Sequence, residues 1–207
     1  MKFTRNKREL ANAAPAKIIG LTGGIASGKT VASAALKNAG YAVIDADEVS
    51  RELFGPGTAG EKTIAAAFLQ ASEKGKLNRA ALRKLISTDE RAKNKLNELT
   101  HPAITAEIKR RLKLTPPPVI LSAPLLFESG LSALCDVTVC VYCAKDERIK
   151  RLATRDGISA ADAQKMIDAQ IPDYERCTIA DYIVPNSDNI NEFTEEITEL
   201  IEEIFKH

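Results

Sequence analysis

Short apolar runs alternate with longer amphipathic stretches along this chain. Residues 16–22 (AKIIGLT) form an apolar run ending in glycines, the pattern of a strand buried on both faces. Residues 30–39 have helical periodicity and meet Gly40, a natural residue just beyond a helix end. Residues 41–45 (YAVID) predict a second strand, so the opening is a βαβ unit with a right-handed crossover. Residues 48–54 read as helix and stop at the turn cluster GPGTAG. Residues 61–114 are charged and rich in Ala and Leu, without a strand pattern, and predict a helical insert. Within it, the His101-Pro102 pair predicts that one helix ends near Leu99 and another starts at Pro102. Residues 119–123 (VILSA) and 137–142 predict two further strands. Residues 146–170 read as helix with a break at Asp156-Gly157, and Pro172 ends that stretch. A short strand at 182–184 and an amphipathic helix at 190–205 complete the pattern. Strands separated by helices imply an α/β fold, a parallel sheet covered on both faces.

Composition narrows the class. The 207 residues suit one α/β domain carrying inserts, and 44% are hydrophobic, enough for a real core. A formal net charge of +1 favours no nucleic-acid partner. No apolar run approaches the ~20 residues of a membrane span, so no membrane association is expected. The basic start, MKFTRNKREL, lacks the apolar middle of a secretory signal, and residues 1–16 are expected to be a disordered extension. Four cysteines include a C-x-x-C at Cys140 and Cys143, but a spacing of three places these on opposite faces of a strand. All four are expected to be reduced core residues, which points to the cytoplasm.

The strongest motif is Gly23-Gly24-Ile25-Ala26-Ser27-Gly28-Lys29-Thr30, a full match to G-x-x-x-x-G-K-[ST] between an apolar strand and a helix. Glycines permit positive φ and close backbone approach. Successive N–H groups then form an anion nest, and the helix dipole favours phosphate charge. Lys29 adds a positive charge for the β- and γ-phosphates, and Thr30 a hydroxyl for Mg²⁺. The loop alone does not select a chemistry. A GTP switch needs N-K-x-D and D-x-x-G; none of the eleven glycines has an aspartate three residues earlier. A motor ATPase usually has an acid at the end of its next apolar strand, where VILS has Ser122.

Asp45-Ala46-Asp47 follows the second strand, at the edge where ligands of parallel sheets bind. Asp47 there can orient an acceptor hydroxyl and take its proton. The same spacing serves equally well as a helix N-cap pair. Arg148, Arg151 and Arg155 recur at i, i+3 and i+7 and predict one face of a lid over the triphosphate, or a solvated charged face.

In order along the chain, GLTGGIASGKT, VIDAD, LNRAALR, His101-Pro102, PLLFE, RLATRD, Gln170 and ADYIVPN resemble the dephospho-CoA kinase family from residue 18 to residue 186. The resemblance implies a P-loop three-layer fold with a parallel sheet core (17–50, 115–145 and 178–207), a helical acceptor-binding insert (51–114) and a lid (146–177). It implies ATP with Mg²⁺ as donor and the 3′-hydroxyl of dephospho-CoA as acceptor. Asp47 then matches the base, and Asp45 a second acid. Arg79, Arg83, His101, Pro102 and Glu128 match the acceptor region. Arg151 and Arg155 match lid arginines, and Asn186 the border of the adenine. The chain departs from the family pattern at Ser122, often Asp, and at Cys177, often Lys. A kinase for another nucleoside or nucleotide is the alternative. Oligomeric state leaves no mark in the pattern.

Overall fold

The computed structural model describes residues 3–5, 16–73, 75–186 and 189–206. The strands are β1 (Thr4–Arg5), β2 (Ile18–Gly23), β3 (Ala42–Asp45), β4 (Ser72–Glu73), β5 (Lys76–Leu77), β6 (Val119–Ser122), β7 (Val137–Tyr142) and β8 (Tyr182–Pro185). The helices are α1 (Lys29–Asn38), α2 (Ala46–Phe54), α3 (Ala59–Ala67), α4 (Arg79–Thr88), α5 (Glu90–Leu114), α6 (Lys145–Asp156), α7 (Ala160–Asp168), α8 (Asp173–Ile179) and α9 (Ile190–Lys206). Short 3₁₀ turns cover Leu69–Ala71 and Leu131–Leu134.

Six strands form one sheet in the order β1-β8-β7-β2-β6-β3. β2 runs parallel to both β6 and β7, and β7 parallel to β8. This is the expected α/β class with a parallel core. Carboxylates start two of its strands. Asp136 accepts the N–H groups of Lys17 and Ile18, each at 2.8 Å, and Asp181 accepts the N–H and the hydroxyl of Thr138. One face is sealed by α1 and α9. From α9, Phe193, Ile197, Leu200, Ile201 and Ile204 pack with Ile19, Leu21, Ala32, Leu36 and Val139. The positions from 193 to 204 trace one helical stripe, which explains why a helix so rich in Glu folds onto the sheet.

Three expectations change. Thr4 and Arg5 are not disordered: they pair antiparallel with Ile183 and Tyr182 at the sheet edge. Residues 6–15 lie outside the described residues. The insert also holds a small antiparallel pair, β4 with β5. Finally, α5 runs straight through Pro102 as one helix. Pro102 removes one backbone bond, toward Glu98, and both residues are exposed; water can replace a bond lost on the outer face of a helix.

The chain divides into two compact units, Met1–Val43 with Thr115–His207, and Ile44–Leu114. The second unit has its own core of Phe54, Ile64, Phe68, Leu82 and Ala92. Its helices α2, α3, α4 and α5 start at side-chain caps, from Asp45, Thr58, Asn78 and Asp89. An ion-pair cluster joins α5 to α2. Glu107 accepts from Arg110 and from Arg111, each at 2.8 Å, and Arg111 also pairs with Glu52. The bonds from Arg110 and Arg111 bring the Glu107 carboxyl down to about 2. A depressed carboxyl pKa contributes stability above the ordinary carboxylate range and loses it as pH falls through the folded value. Glu107→Gln is therefore expected to lower the melting temperature at pH 7 by about 1–3 °C. The gap to the parent chain should close as the pH of the melt falls from about 5 toward 2.

Candidate nucleotide-binding site

β2 ends at Gly23, and the chain turns through the loop into α1. Two loop residues take positive φ, Ala26 at 61° and Gly28 at 104°. Ala26 is the one non-glycine residue of that kind among the described residues. A left-handed alanine costs about 1–2 kcal/mol, so the surrounding structure must hold it. The turn is closed by the Ser27 N–H donating to the Gly24 carbonyl at 3.0 Å. No side chain caps α1 at Gly28, unlike α2, α3, α4 and α7, and its first turn has no acid, unlike that of α2, α3 and α7. The N-terminus of α1 thus directs its amides and its positive dipole end toward a ligand.

The glycines are needed for contact as well as for φ. A Cβ on Gly23 would lie 2.4 Å from Ser27 Oγ and 2.9 Å from the Val141 carbonyl oxygen. One on Gly28 would lie 2.0 Å from Asn186 Nδ2. Asn186 is fixed at both ends: its side-chain amide donates to the Ser27 carbonyl at 2.7 Å, and its N–H to the Tyr142 carbonyl at 2.7 Å. Lys29 is buried on α1 and its Nζ donates to Ser122 Oγ at 2.7 Å, while the Ser33 hydroxyl donates to the same oxygen at 3.0 Å. Ser122 at the end of β6 therefore anchors the lysine through a neutral oxygen. Thr30 is exposed on the first turn of α1.

Beneath the loop lies a group of side chains whose joining the sequence pattern does not show, although Arg148, Gln170 and Glu128 stand out singly. The Ile25 N–H donates to Gln170 Oε1 at 2.8 Å, and Arg148 Nε donates to the Ile25 carbonyl at 2.7 Å. Arg148 also forms an ion pair with Asp173, which accepts from Arg176 Nη1 at 3.1 Å. Arg176 Nη2 lies 3.5 Å from Glu128 Oε1. Arg148 and Arg176 are each 1% exposed. Arg148 is thus not a member of an outward lid face with Arg151 and Arg155. It shares the inward stripe of α6 with Leu152, four residues on, and that i, i+4 relation was the available signal. Leu152, Ala163 and Ile167 form an apolar cluster on which Ile25 and Ala26 pack. Arg151 is half-buried, and Arg155 bonds its neighbour Asp156. Next to Arg176, the Cys177 thiol takes a hydrogen bond from Cys140, which holds Cys177 below the usual thiol range. The same bond and burial push Cys140 up.

The remaining predicted residues lie in the second unit, apart from Glu128. Asp45 caps α2, its Oδ1 accepting the N–H groups of Asp47 at 2.8 Å and Glu48 at 3.2 Å. Asp47 is exposed on that first turn. The guanidinium of Arg79 bonds the Phe54 carbonyl and reaches Glu61 at 3.4 Å. Arg83 is exposed on α4, and His101 with Pro102 lies midway along α5.

The sequence model of dephospho-CoA kinases matches residues 17–192. The chain belongs to the dephospho-CoA kinase family. A dephospho-CoA kinase of Carboxydothermus hydrogenoformans is 37% identical over 191 residues, covering 89% of this chain and 93% of that protein. Among solved structures, a Thermus thermophilus protein superposes with a TM-score of 0.80 at 27% identity, covering 92% of this chain and 98% of the other. A dephospho-CoA kinase from Campylobacter jejuni gives 0.67, also at 27% identity, covering 91% and 97%.

For this member of the dephospho-CoA kinase family, the observed loop suits a polyphosphate: an uncapped helix start, a left-handed turn, a buried lysine and glycines that no Cβ could replace. Gly24 provides the test. A Cβ there would lie 2.4 Å from Arg148 Nη2, and that guanidinium is buried and paired, so it cannot swing aside cheaply. Overpacking of this kind costs about 1–3 kcal/mol. Gly24→Ala is expected to weaken MgADP binding by about tenfold or more, read by titration calorimetry.

Proposed function

We propose that this chain transfers the γ-phosphoryl group of ATP to the 3′-hydroxyl of dephospho-CoA, the last step of coenzyme A synthesis. The observation that carries the reading is the complete phosphate loop, with its left-handed turn and buried Lys29, in a chain whose family match spans residues 17–192. The loop at residues 23–30 wraps the phosphates with backbone N–H groups other than those of Ile25 and Ser27, which are bonded to Gln170 and Gly24. Lys29 neutralises charge on the β- and γ-phosphates, and Thr30 offers its hydroxyl to Mg²⁺. When bound, Mg²⁺ supplies charge neutralisation across the transferring phosphates.

Asp47 accepts the proton of the 3′-hydroxyl as that oxygen bonds to phosphorus, while the bond from phosphorus to the leaving ADP oxygen breaks. Asp45 serves Asp47 through the cap, since its carboxylate holds the Asp47 N–H and fixes the start of α2. Arg151 and Arg155 on α6 supply lid charge, and Asn186 borders the adenine while holding Ser27. Arg79, Arg83, His101, Pro102 and Glu128 form the acceptor-binding set. In domain terms, residues 51–114 recognise the acceptor and residues 146–177 act as the lid. Four cysteines free of disulfides suit a cytoplasmic enzyme. No described helix is long and apolar enough to cross a membrane.

The deciding experiment is coupled ADP release with an acceptor panel. Turnover with dephospho-CoA is expected, whereas turnover with nucleosides or nucleotides alone would transfer the chain to another small-molecule kinase reaction. Asp47→Asn is expected to lower turnover about a hundredfold or more while MgADP still binds; unchanged turnover would leave Asp47 without a part in proton transfer. Lys29→Ala should weaken both nucleotide binding and turnover.

A further inference from the structure

We infer that Arg148 is a positioning residue for the phosphate loop, braced by Asp173 and assisted by Gln170. Both polar groups of the Ile25 backbone are taken from below, the N–H by Gln170 at 2.8 Å and the carbonyl by Arg148 Nε at 2.7 Å. A carbonyl bonded to a group only 1% exposed is turned away from the loop's outer side, where it would oppose phosphate oxygens. The peptides on either side of Ile25 are thereby oriented, and the left-handed turn at Ala26 follows directly. Holding that turn before the nucleotide arrives removes an ordering cost from binding.

The side chain suits this task. Arg148 uses Nε for Ile25 and Nη1 for Asp173, two bonds diverging from one rigid plane. A lysine presents a single ammonium and cannot serve both as a fork does. The guanidinium also lies against Gly24, where no Cβ fits. Asp173 is held in turn by Arg176, so the brace extends into α8. Stability alone is a poor reason for such an arrangement, because apolar replacements of a buried ion pair are often neutral or stabilising.

The inference rests on the loop's holding a nucleotide, and its test reads nucleotide affinity without any acceptor. MgADP is titrated calorimetrically into the parent chain, Arg148→Met, Arg148→Lys and Gln170→Leu. Arg148→Met is expected to weaken affinity about tenfold or more, the scale of one charge-assisted hydrogen bond. Arg148→Lys should recover part of that loss, and Gln170→Leu should lose about threefold or more. In steady state the KM for ATP should rise while the KM for dephospho-CoA stays within twofold. A merely structural role would instead lower the binding stoichiometry and leave the affinity of the folded fraction intact. Folded Arg148→Met and Gln170→Leu with affinities within twofold of the parent overturn the inference. If Arg148→Met does not fold, Gln170→Leu decides alone, since it leaves both arginine pairs in place. A parent chain that binds MgADP yet fails to phosphorylate dephospho-CoA overturns the proposed reaction and leaves the affinity test of Arg148 in force. A parent chain that binds no MgADP overturns both.

Discussion

Backbone amides can converge on one anion only if the chain adopts a turn that ordinary residues avoid. In this protein the requirement falls on Gly24 to Gly28, and above all on Ala26, a left-handed residue with a Cβ. Such a turn does not persist by itself. The structure holds it by closing the loop through Ser27 and Gly24, by clamping Ser27 with Asn186, and by fixing Ile25 from beneath. An apolar cluster from α6 and α7 receives the tip. The nucleotide-binding end of β2 is therefore the meeting point of segments from residue 24 to residue 186, and their order in space depends on satisfying one short backbone stretch.

The sheet supplies the rigidity behind that point. β2 lies between β6 and β7, so neither of its edges is free; its own start is fixed by Asp136 and that of β7 by Asp181. Ser122, opposite Leu21 in register, places its oxygen where Lys29 and Ser33 both donate. A carboxylate at that place would add a second charge; the hydroxyl orients the lysine without one. The second unit follows a different logic. Its helices are fixed by caps, and Asp45 shows the economy of this: one carboxylate oxygen ends β3, starts α2 and sets the backbone of Asp47.

Most of the sheet and the large helices can be read from periodicity, because burial on a strand or on one helix face leaves a regular apolar trace, and the loop from its motif. What could not be read follows from the limits of that trace. Pro102 suggested a boundary, yet a proline on the exposed side of a long helix loses a bond that water can replace. Thr4 and Arg5 carry no apolar pattern, and an edge strand of two residues is too short to show one. Asp45 and Asp47 were ambiguous on spacing, and the cap geometry assigns that part of the pair to Asp45. Arg148 was misread for a deeper reason. Three arginines on a helical wheel look alike, and only the partners Ile25 and Asp173, 123 and 25 residues away, distinguish the buried one.

Those partners also explain why the buried charges can be tolerated. Arg148, Asp173, Arg176 and Glu128 form a chain of two cations and two anions, so no net charge is stranded. The satisfaction is nevertheless uneven: Arg148 uses Nε, Nη1 and Nη2, whereas Arg176 has no hydrogen-bond partner at Nε or Nη2 and relies at Nη2 on an ion pair at 3.5 Å. Burial does not account for the difference, since both guanidinia are 1% exposed. The better-satisfied one is the one that touches the phosphate loop. That difference is what a brace requires, since orientation has to be strict at the backbone it holds and can relax toward the element on which it rests.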